Sequence, residues 1–349
     1  MSNTTYKLFA DKMGGTNAND FIGNAGDIFY DPESTSLRIS NGDQGGVTLG
    51  GTVALDINSS LYIGGGGTNN TTGYRNIATG LSALYLNTTG DNNIATGPYA
   101  LFSNTTGHHN IATGFNALVN NTTGYENIAT GPYALYSNNG HHNIATGDGA
   151  LFYNSTGYQN IATGHAALYH NTTGGYNIAT GYNALFYNTT GWENIATGDR
   201  SLYSNTTGDA NIATGRQSLY FNTSGYYNIA TGNQALVSNT TGNYNIATGY
   251  SALYYNTTGN YNIGVGTSAG SNITTGSNNT IIGNLTGSST LSDTVLIGAG
   301  STERIKVNST GFFIHPVRDA GVDSATLLSS GFYQCYYNPT TGEFVYTTI

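Results

Sequence analysis

One short unit is repeated twelve times between residues 76 and 266, and this repeat limits what the chain can fold into. The unit reads Asn-Ile-Ala-Thr-Gly-x-x-Ala-Leu-Tyr-x-Asn-Thr-Thr-Gly-x-x, and its places are numbered 1 to 17 from the opening Asn. The step is 17 residues, except for one step of 16 after Asn127, where Asn138-Asn139-Gly140 replaces Asn-Thr-Thr-Gly. A fixed period of this kind indicates a solenoid or array.

The period selects β-structure. Helical repeats need roughly 30 to 45 residues, because two helices must turn back on each other in every unit. Each unit has two short runs between glycines, Asn-Ile-Ala-Thr and Ala-Leu-Tyr-x-Asn, which are typical of strands and turns. The sequence therefore predicts an all-β solenoid, or β-roll, with two strands and two bends per coil. Twelve coils at about 4.8 Å each would form a rod about 60 Å long.

Places that hardly change from coil to coil predict the interior. Ile at place 2 and Leu at place 9 would stack into two aliphatic ladders that form the core. Gly at places 5 and 15, as in Gly80 and Gly90, fits bends that need φ > 0. Asn at places 1 and 12 is expected to form hydrogen-bonded side-chain ladders along the stack.

The same places argue for an oligomer. Two aliphatic side chains per coil bury too little apolar surface to offset the conformational entropy lost by 17 residues. Ala at place 8 and the aromatic residue or Val at place 10 would reduce the deficit if they faced another copy of the chain. We therefore predict a parallel homotrimer with these two columns at or near the subunit contacts. The alternative is a monomer whose aromatic residues stack internally.

Charge narrows the possible partners. The 349-residue chain has only 8% charged residues and a formal net charge of -9, so amide and hydroxyl groups are expected to keep its surface wet. Nine Lys and Arg residues cannot neutralise a run of phosphates, which argues against nucleic acid. There is no long apolar stretch and no basic-plus-apolar N-terminus, so we predict neither a membrane partner nor a secretory signal. A single cysteine, Cys335, excludes an intrachain disulfide.

The segments around the array predict four regions. Asp27–Tyr30 and Leu37–Ser40 alternate like the strands of a hairpin, and Leu61–Gly64 looks like a degenerate first coil. After Asn262 the units shorten, and residues 336–346 read as strand, turn and strand. The regions are an attachment or capping segment with a hairpin (1–60), the solenoid shaft (61–275), degenerate shorter repeats (276–303) and a hairpin that forms a tip or trimerisation cap (304–349).

Some of the remaining segments carry weaker expectations. Residues 1–20 read as a polar, flexible lead. Ile305–Val307 and Gly311–Ile314 alternate like strands before Pro316 breaks the run.

Several of these patterns resemble known families. The segment Gly-Asp-Ile-Phe-Tyr-Asp-Pro, with the later Leu-Arg-Ile-Ser-Asn-Gly, is similar to short modules of phage tail fibres. The full unit resembles arrays in phage fibres and in large DNA viruses. The loosened units after Asn262 resemble the head repeats of trimeric autotransporter adhesins, whose left-handed β-roll contains three parallel chains. The closing Tyr-Tyr-Asn-Pro-Thr-Thr-Gly-Glu resembles a hairpin near the ends of viral fibre-like proteins, which a self-cleaving chaperone domain often follows.

The resemblance implies a homotrimeric fibre on the surface of a virus particle, first of all a phage tail fibre or otherwise a capsid appendage, which is extracellular after release by lysis or on the particle. One terminus would bind other virion proteins, and the fibre would attach to a host-surface glycan or protein by multivalent contact. Two alternatives are a structural spacer or capsid-decorating fibre without a receptor, and a bacterial adhesin. An ice-binding solenoid is a further alternative, although the Thr column that includes Thr79 would be only one residue wide and flanked by Gly.

Residues for catalysis or metal binding are sparse. Acidic residues are scattered singly, and only Glu193 and Asp209 could come into register on adjacent coils, so we expect neither an enzyme nor a cofactor. His108-His109 and His141-His142 occupy the same bend two coils apart, about 10 Å. That separation favours solvated surface pairs over one metal site.

The two places that close each unit vary most and are rich in aromatic residues. Variable aromatic bends on a rigid scaffold suit recognition, because Tyr and Trp provide contact area at low entropic cost. Such a stripe could stack on sugar rings of a receptor, or it could simply stiffen the rod. The candidate receptor-binding residues are Tyr158, Tyr176, Trp192, Tyr226, Tyr227, Tyr244 and Tyr261.

Overall fold

The fold is taken from a computed structural model that describes residues 28–31, 36–39, 47–48, 53–55, 60–63, 72–298, 305–307, 335–338 and 343–346. Within these residues the regular secondary structure is β-strand and no helix occurs. The strands are β1 (Ile28–Asp31), β2 (Ser36–Ile39), β3 (Val47–Thr48), β4 (Val53–Leu55), β5 (Leu61–Ile63), β6 (Ile77–Thr79), β7 (Ile94–Thr96), β8 (Ile111–Thr113), β9 (Ile128–Thr130), β10 (Ile144–Thr146), β11 (Ile161–Thr163), β12 (Ile178–Thr180), β13 (Ile195–Thr197), β14 (Ile212–Thr214), β15 (Ile229–Thr231), β16 (Ile246–Thr248), β17 (Ile263–Val265), β18 (Thr280–Gly283), β19 (Val295–Gly298), β20 (Ile305–Val307), β21 (Cys335–Asn338) and β22 (Glu343–Tyr346).

Strands β5 to β19 stack in parallel, so this part of the chain is a β-solenoid of about 14 coils. Each Ile-Ala-Thr strand pairs in register with the equivalent residues of the next coil, as Ile161 does with Ile178 and Ala162 with Ala179. The predicted all-β solenoid with 17-residue coils is confirmed, including the stacking of each residue on its predecessor in the preceding coil.

The second half of each coil is not a strand, and the expected two strands per coil is wrong. Places 8 to 10 form turns, and Leu at place 9 has φ near +50°, as in Leu168 (φ 52°). Places 7 and 17 also have positive φ in residues with a Cβ, such as Gln217 (φ 56°) and Gln159 (φ 55°). Because extended strands need negative φ, these left-handed residues turn the chain instead.

The Ile column lies outside the solenoid, which corrects the prediction that it forms the core. Ile77 is 40% exposed, whereas Ala78 is fully buried. Successive side chains of a strand point to opposite faces, so the inward Asn at place 1 and Ala at place 3 turn Ile and Thr outward. The Leu column from Leu84 to Leu253 is fully buried, as predicted.

The place-8 column is also internal, so its expected position at subunit contacts is wrong. Ala83 and Ala184 are fully buried inside the chain's own core. A small side chain is required there because the strand and the Leu turn face each other across one narrow coil. The place-10 residues are half-buried and stacked, as in Tyr136 and Phe152, whose ring centroids are 4.6 Å apart.

Two buried Asn ladders run along the solenoid, as predicted. At place 1, Asn177 Nδ2 donates to Asn160 Oδ1 at 3.1 Å and to Gly191 O at 2.8 Å. Asn177 Oδ1 in turn accepts a 3.0 Å bond from the backbone N–H of Asn194. In the place-12 ladder, Asn171 Nδ2 donates to Asn154 Oδ1 at 2.7 Å and to Gly174 O at 2.9 Å, while its backbone N–H donates to Leu168 O. Each ladder therefore satisfies backbone groups that would cost roughly 1 to 3 kcal/mol if buried without a partner.

The two repeated glycines have different causes. Gly181 at place 5 has φ +135°, so the predicted positive-φ bend is confirmed there. Gly174 at place 15 is not among the positive-φ residues, so that reason is wrong for this place. A Cβ on Gly174 would collide with the Gly191 carbonyl oxygen and lie 2.9 Å from Asn188 Nδ2. Glycine is required there because the coils and Asn ladder approach too closely for a side chain.

The 16-residue coil keeps its hydrogen bonds by using a side chain. In a regular coil the carbonyl oxygen of Thr122 accepts bonds from the N–H and the Oγ1 of Thr105. In the short coil, Asn139 Oδ1 takes this part, accepting from Thr122 N (2.8 Å), Thr122 Oγ1 (2.7 Å) and Thr123 N (3.2 Å). The missing residue therefore leaves the stacking intact.

Both ends of the parallel ladder finish on an antiparallel strand. Strand β4 pairs antiparallel with β5, and β20 pairs antiparallel with β19. Strand β5 is the expected degenerate first coil, because Tyr62 occupies the position of Ala78 and is buried. The shortened units also stack, with Thr280 in register with Val295. Antiparallel end strands cover edges that would otherwise pair with another chain.

Small antiparallel sheets occur near both termini. Strands β1, β2 and β3 form one sheet, with Ile28 opposite Ile39, and β21 and β22 form a hairpin, so both predicted hairpins are present. The chain separates into two compact units, Met1–Val307 and Asn308–Ile349. The predicted lead at 1–20 and the strand predicted at 311–314 lie outside the described residues.

Candidate functional site

The seven candidate receptor-binding residues occupy places 16 and 17, where the chain leaves the second glycine and enters the next strand. A repeated backbone bond holds each level: Tyr176 N–H donates to Tyr158 O at 3.1 Å, and Tyr244 N–H to Tyr226 O at 3.2 Å. The candidate residues at place 17 have positive φ, as in Tyr244 (φ 55°), and their side chains are exposed. We call the set the aromatic ridge: Tyr158, Tyr176, Trp192, Tyr226, Tyr227, Tyr244 and Tyr261.

One part of the aromatic ridge is a cluster of three rings. Tyr158 meets Trp192 edge to face at a centroid distance of 5.3 Å, and Tyr176 at 5.5 Å. Tyr176 and Trp192 are 6.0 Å apart and tilted. Tyr158 and Trp192 belong to coils that are not adjacent, and Gly175 at place 16 of the intervening coil lets them meet. A Cβ on Gly175 would lie 3.1 Å from Trp192 Cζ3, so the indole ring covers that glycine.

A second cluster contains four tyrosines. Tyr227, Tyr244 and Tyr261 stack with nearly parallel rings, at centroid distances of 5.2 Å and 5.0 Å, and Tyr226 meets Tyr244 edge to face. All four are exposed. Partial burial among neighbouring rings raises the pKa of Tyr244 above its usual value, with smaller contributions from Tyr226, Tyr261 and Tyr227. The raised pKa keeps the Tyr244 phenol neutral near pH 7, so it can donate or accept a hydrogen bond.

The aromatic ridge is thus two patches rather than one stripe. The coil between them carries Asp209 and Ala210 at places 16 and 17. Asp209 Oδ1 accepts a 2.7 Å hydrogen bond from the backbone N–H of Trp192. The Asp209 carboxylate therefore orders the bend at Trp192. In the sequence, Asp209 and Glu193 were the only acidic residues that could form a pair in register on adjacent coils.

The His pairs form part of a stacked column. His108, Tyr125, His141 and Tyr158 stack with nearly parallel rings at centroid distances of 5.0, 4.8 and 5.1 Å. Burial between the rings lowers the pKa of His141, and neighbouring His142 lowers it further, so His141 is neutral near pH 7. His142 Nε2 lies 2.7 Å from Glu126 Oε2. Tyr125 separates the two His pairs, as the expected two-coil spacing requires.

The outer face of the sheet is a second candidate surface, which sequence reasoning missed. It displays two columns, Ile at place 2 and Thr at place 4, and we call it the Ile–Thr face. Ile161 is 38% exposed and Thr163 is also exposed. The period-2 alternation of Asn, Ile, Ala and Thr was the signal that could have revealed it, since a ladder-forming Asn at place 1 must point inward.

In the described part of the chain, no group of three or more His, Cys, Asp or Glu residues is placed to hold a metal ion. The same residues contain no helix that could cross a membrane. The described residues present two aromatic patches and the partly apolar Ile–Thr face.

Comparison of the chain with protein-family models, with curated proteins and with solved structures finds no match.

Proposed function

We propose that the chain is the shaft of a parallel homotrimeric fibre on the surface of a virus particle. The Ile–Thr face would be the subunit contact, and the aromatic ridge would face outward and bind the host. One observation carries the proposal. The Ile column is as constant from coil to coil as the buried Leu column, although Ile77 is 40% exposed and Leu84 is fully buried.

Strand propensity alone does not account for this constancy. An exposed strand position accepts Val, Ile, Thr, Tyr or Phe with little difference in stability. Place 2 nevertheless holds Ile in all twelve units. A continuous column of half-exposed Ile is an apolar patch of the kind that marks an interface.

The straightness of the columns favours a closed, parallel assembly. Identical coils lie directly above one another, so a rotation axis along the rod brings equal levels of each copy together. Cyclic symmetry of this kind closes the assembly without leaving an open edge. The number three comes from the resemblance to autotransporter heads, as does the viral setting from the resemblance to phage and large-virus fibres. Three copies of weak sites would then gain avidity on a host surface.

Mass in solution is the decisive measurement. Light scattering on the wild-type chain should give three times 36.5 kDa. The double variant Ile178→Lys and Ile212→Lys should reduce the mass to that of one chain, because charged side chains at two levels of the contact cannot be buried without partners. Tyr187→Lys, on the opposite side of the coil at place 11, is the matched control and should remain trimeric. A mass of 36.5 kDa for the wild-type protein would contradict the trimer.

Attachment is tested separately. Purified wild-type fibre and Trp192→Ala should be compared on a glycan array and on intact host cells. Binding that weakens at least tenfold in Trp192→Ala supports the aromatic ridge as the receptor-binding surface. Trimeric protein that binds neither array nor cells would instead be a spacer or capsid-decorating fibre.

An ice-binding solenoid is a second candidate, favoured by the same face if it is uncovered. Thr79 projects outward from the same strand as Ile77, which lies two residues before it. The flat surface is therefore two columns wide rather than one. A monomer that produces freezing hysteresis, and loses it in the Ile178→Lys and Ile212→Lys double variant, would select this function.

A further inference from the structure

A groove of about 570 Å³ opens at places 6, 7 and 10, after the strand, whereas the aromatic ridge precedes the strand. Its floor consists of Gly149 and Ala166, both buried, at place 7 of two successive coils. Tyr133, at place 7 of the coil before them, forms one end. The groove lies within the regular part of the solenoid.

The groove exists because two levels of the place-7 column lack a large side chain. Tyr133 contacts the rings of Phe115, Tyr136 and Phe152, but the next two members of its own column are Gly149 and Ala166. Where adjacent coils both carry rings, those rings stack at about 5 Å, as Tyr136 and Phe152 do. The Tyr169 ring covers part of the Gly149 level, because a Cβ there would lie 3.1 Å from Tyr169 Cε2, and the space that remains beside Tyr133 is the groove.

The backbone does not require small residues at these levels. Ala166 has φ 51° and Gly149 φ 63°, while Tyr133 adopts φ 55° and Tyr99 φ 59° at the same place. A tyrosine therefore fits the left-handed conformation of place 7. The open volume is a property of the two residues present and not of the coil.

The walls combine apolar rings with polar groups. Phe152, Tyr169 and Phe186 stack along one side at centroid distances of 4.9 and 5.2 Å. Asp148 and His165, at place 6 of adjacent coils, are exposed at the other side. No hydrogen bond to the Asp148 carboxylate occurs within residues 72–298.

We infer that this groove binds one neutral pyranose ring of a glycan, stacked beside Tyr133 and hydrogen-bonded through its hydroxyl groups to Asp148 and His165. A pyranose has an apolar C–H surface for the aromatic wall and hydroxyl donors for an unpaired carboxylate. An anionic ligand would meet Asp148 on a chain of net charge -9.

The inference deepens the proposed attachment role by naming a ligand class and a site outside the aromatic ridge. The probes are methyl glycosides of glucose, galactose, mannose and N-acetylglucosamine, with choline and phenylalanine for comparison. Saturation-transfer NMR and titration on the full wild-type chain should detect at least one glycoside with a Kd of about 1 mM, typical of a ligand this small.

Two variants locate the binding. Ala166→Tyr refills the column and should abolish glycoside binding, whereas Gln217→Tyr adds the same ring at place 7 of a distant coil and should not. Asp148→Asn keeps the shape, because Asn233 occupies place 6 elsewhere, and should weaken binding at least tenfold.

Other outcomes overturn the inference. They are no glycoside binding by the wild-type chain, unchanged binding by Ala166→Tyr, or binding of choline or phenylalanine in place of the glycosides. Loss of binding in Trp192→Ala but not in Ala166→Tyr would place the sugar on the aromatic ridge. The molecular mass of each sample is measured in parallel. It distinguishes loss of the trimer from loss of glycoside binding in the groove.

Discussion

Two regions of each coil differ in how freely they vary. The inward places hold the same residues in the eleven units that begin at Asn76 to Asn245: Asn at places 1 and 12, Ala at place 3 and Leu at place 9. The bends at places 6 and 7 and at places 16 and 17 hold Tyr, His, Asp, Pro, Gly and Trp in no fixed order. Inward side chains contact their own copies above and below, so a change must fit two neighbours, whereas bend residues face water.

The first prediction tests the inward region. Leu168→Ala should lower the free energy of unfolding by about 2 to 5 kcal/mol, because it leaves a cavity in a fully buried column. Ile161→Ala in the same coil is the outward counterpart. Both are measured by urea denaturation at several protein concentrations.

The Ile161→Ala variant shows whether the outward column is covered by another chain. If the chain is monomeric, Ile161→Ala should lower the free energy of unfolding by about 1 kcal/mol or less, since Ile161 is already partly exposed. A cost equal to that of Leu168→Ala that disappears on dilution would mean that another copy covers Ile161. The same cost at every concentration would contradict the outward position of Ile.

The second prediction concerns the short coil. Asn139→Ala should lower the free energy of unfolding by about 0.5 to 1.5 kcal/mol, because three donors from Thr122 and Thr123 lose their acceptor at an exposed site where water replaces it in part. Asn139→Asp keeps an oxygen in the same position and should cost much less. Equal losses in thermal denaturation of the two variants would show that the side-chain carbonyl does not replace the missing backbone.

The third prediction concerns strain in a variable bend. Gln159 has φ 55° at place 17 and is exposed. Gln159→Gly should raise the free energy of unfolding by about 1 kcal/mol or less, because glycine adopts this φ without steric cost. Gln159→Val should lower it, since a β-branched residue fits positive φ poorly. Denaturation in which Val is as stable as Gly would argue against strain at the bends.

The smallest expected effect is a pH dependence from His170. Its ring stacks between Tyr153 and Tyr187, at centroid distances of 5.4 and 5.3 Å, and burial lowers its pKa from the usual 6.5. The folded chain then binds a proton less readily than the unfolded chain, so stability is lost as pH falls through about 6.5. His170→Gln should reduce the difference in unfolding free energy between pH 8 and pH 5. An unchanged difference would exclude His170 as a source.

The repeat itself made much of the fold predictable. Seventeen-residue stacking, the Asn ladders and the buried Leu column follow from a period that only a β-coil accommodates. The direction of Ile was missed because hydrophobicity was weighed above the alternation that an inward Asn imposes. Leu168 at φ 52° was beyond sequence reasoning, since leucine seldom adopts that conformation.

The candidate sites were predictable to different degrees. The positions of Tyr158, Tyr176 and Trp192 on one edge follow from the period. Their clustering does not, because it depends on Gly175 leaving space for an indole from the next coil. The groove was equally hidden, since the sequence does not show that the Tyr133 ring lies against the rings of Tyr136 and Phe152.

The in-register pairing of coils has a consequence for the gene as well as for the protein. The upper surface of every coil fits the lower surface of every other, so a duplicated or deleted copy joins its new neighbours without mismatch. Recombination between repeats would therefore lengthen or shorten the shaft in whole increments of about 4.8 Å. The length of the shaft would then be set by the number of coils, while the antiparallel strand at each end stays the same.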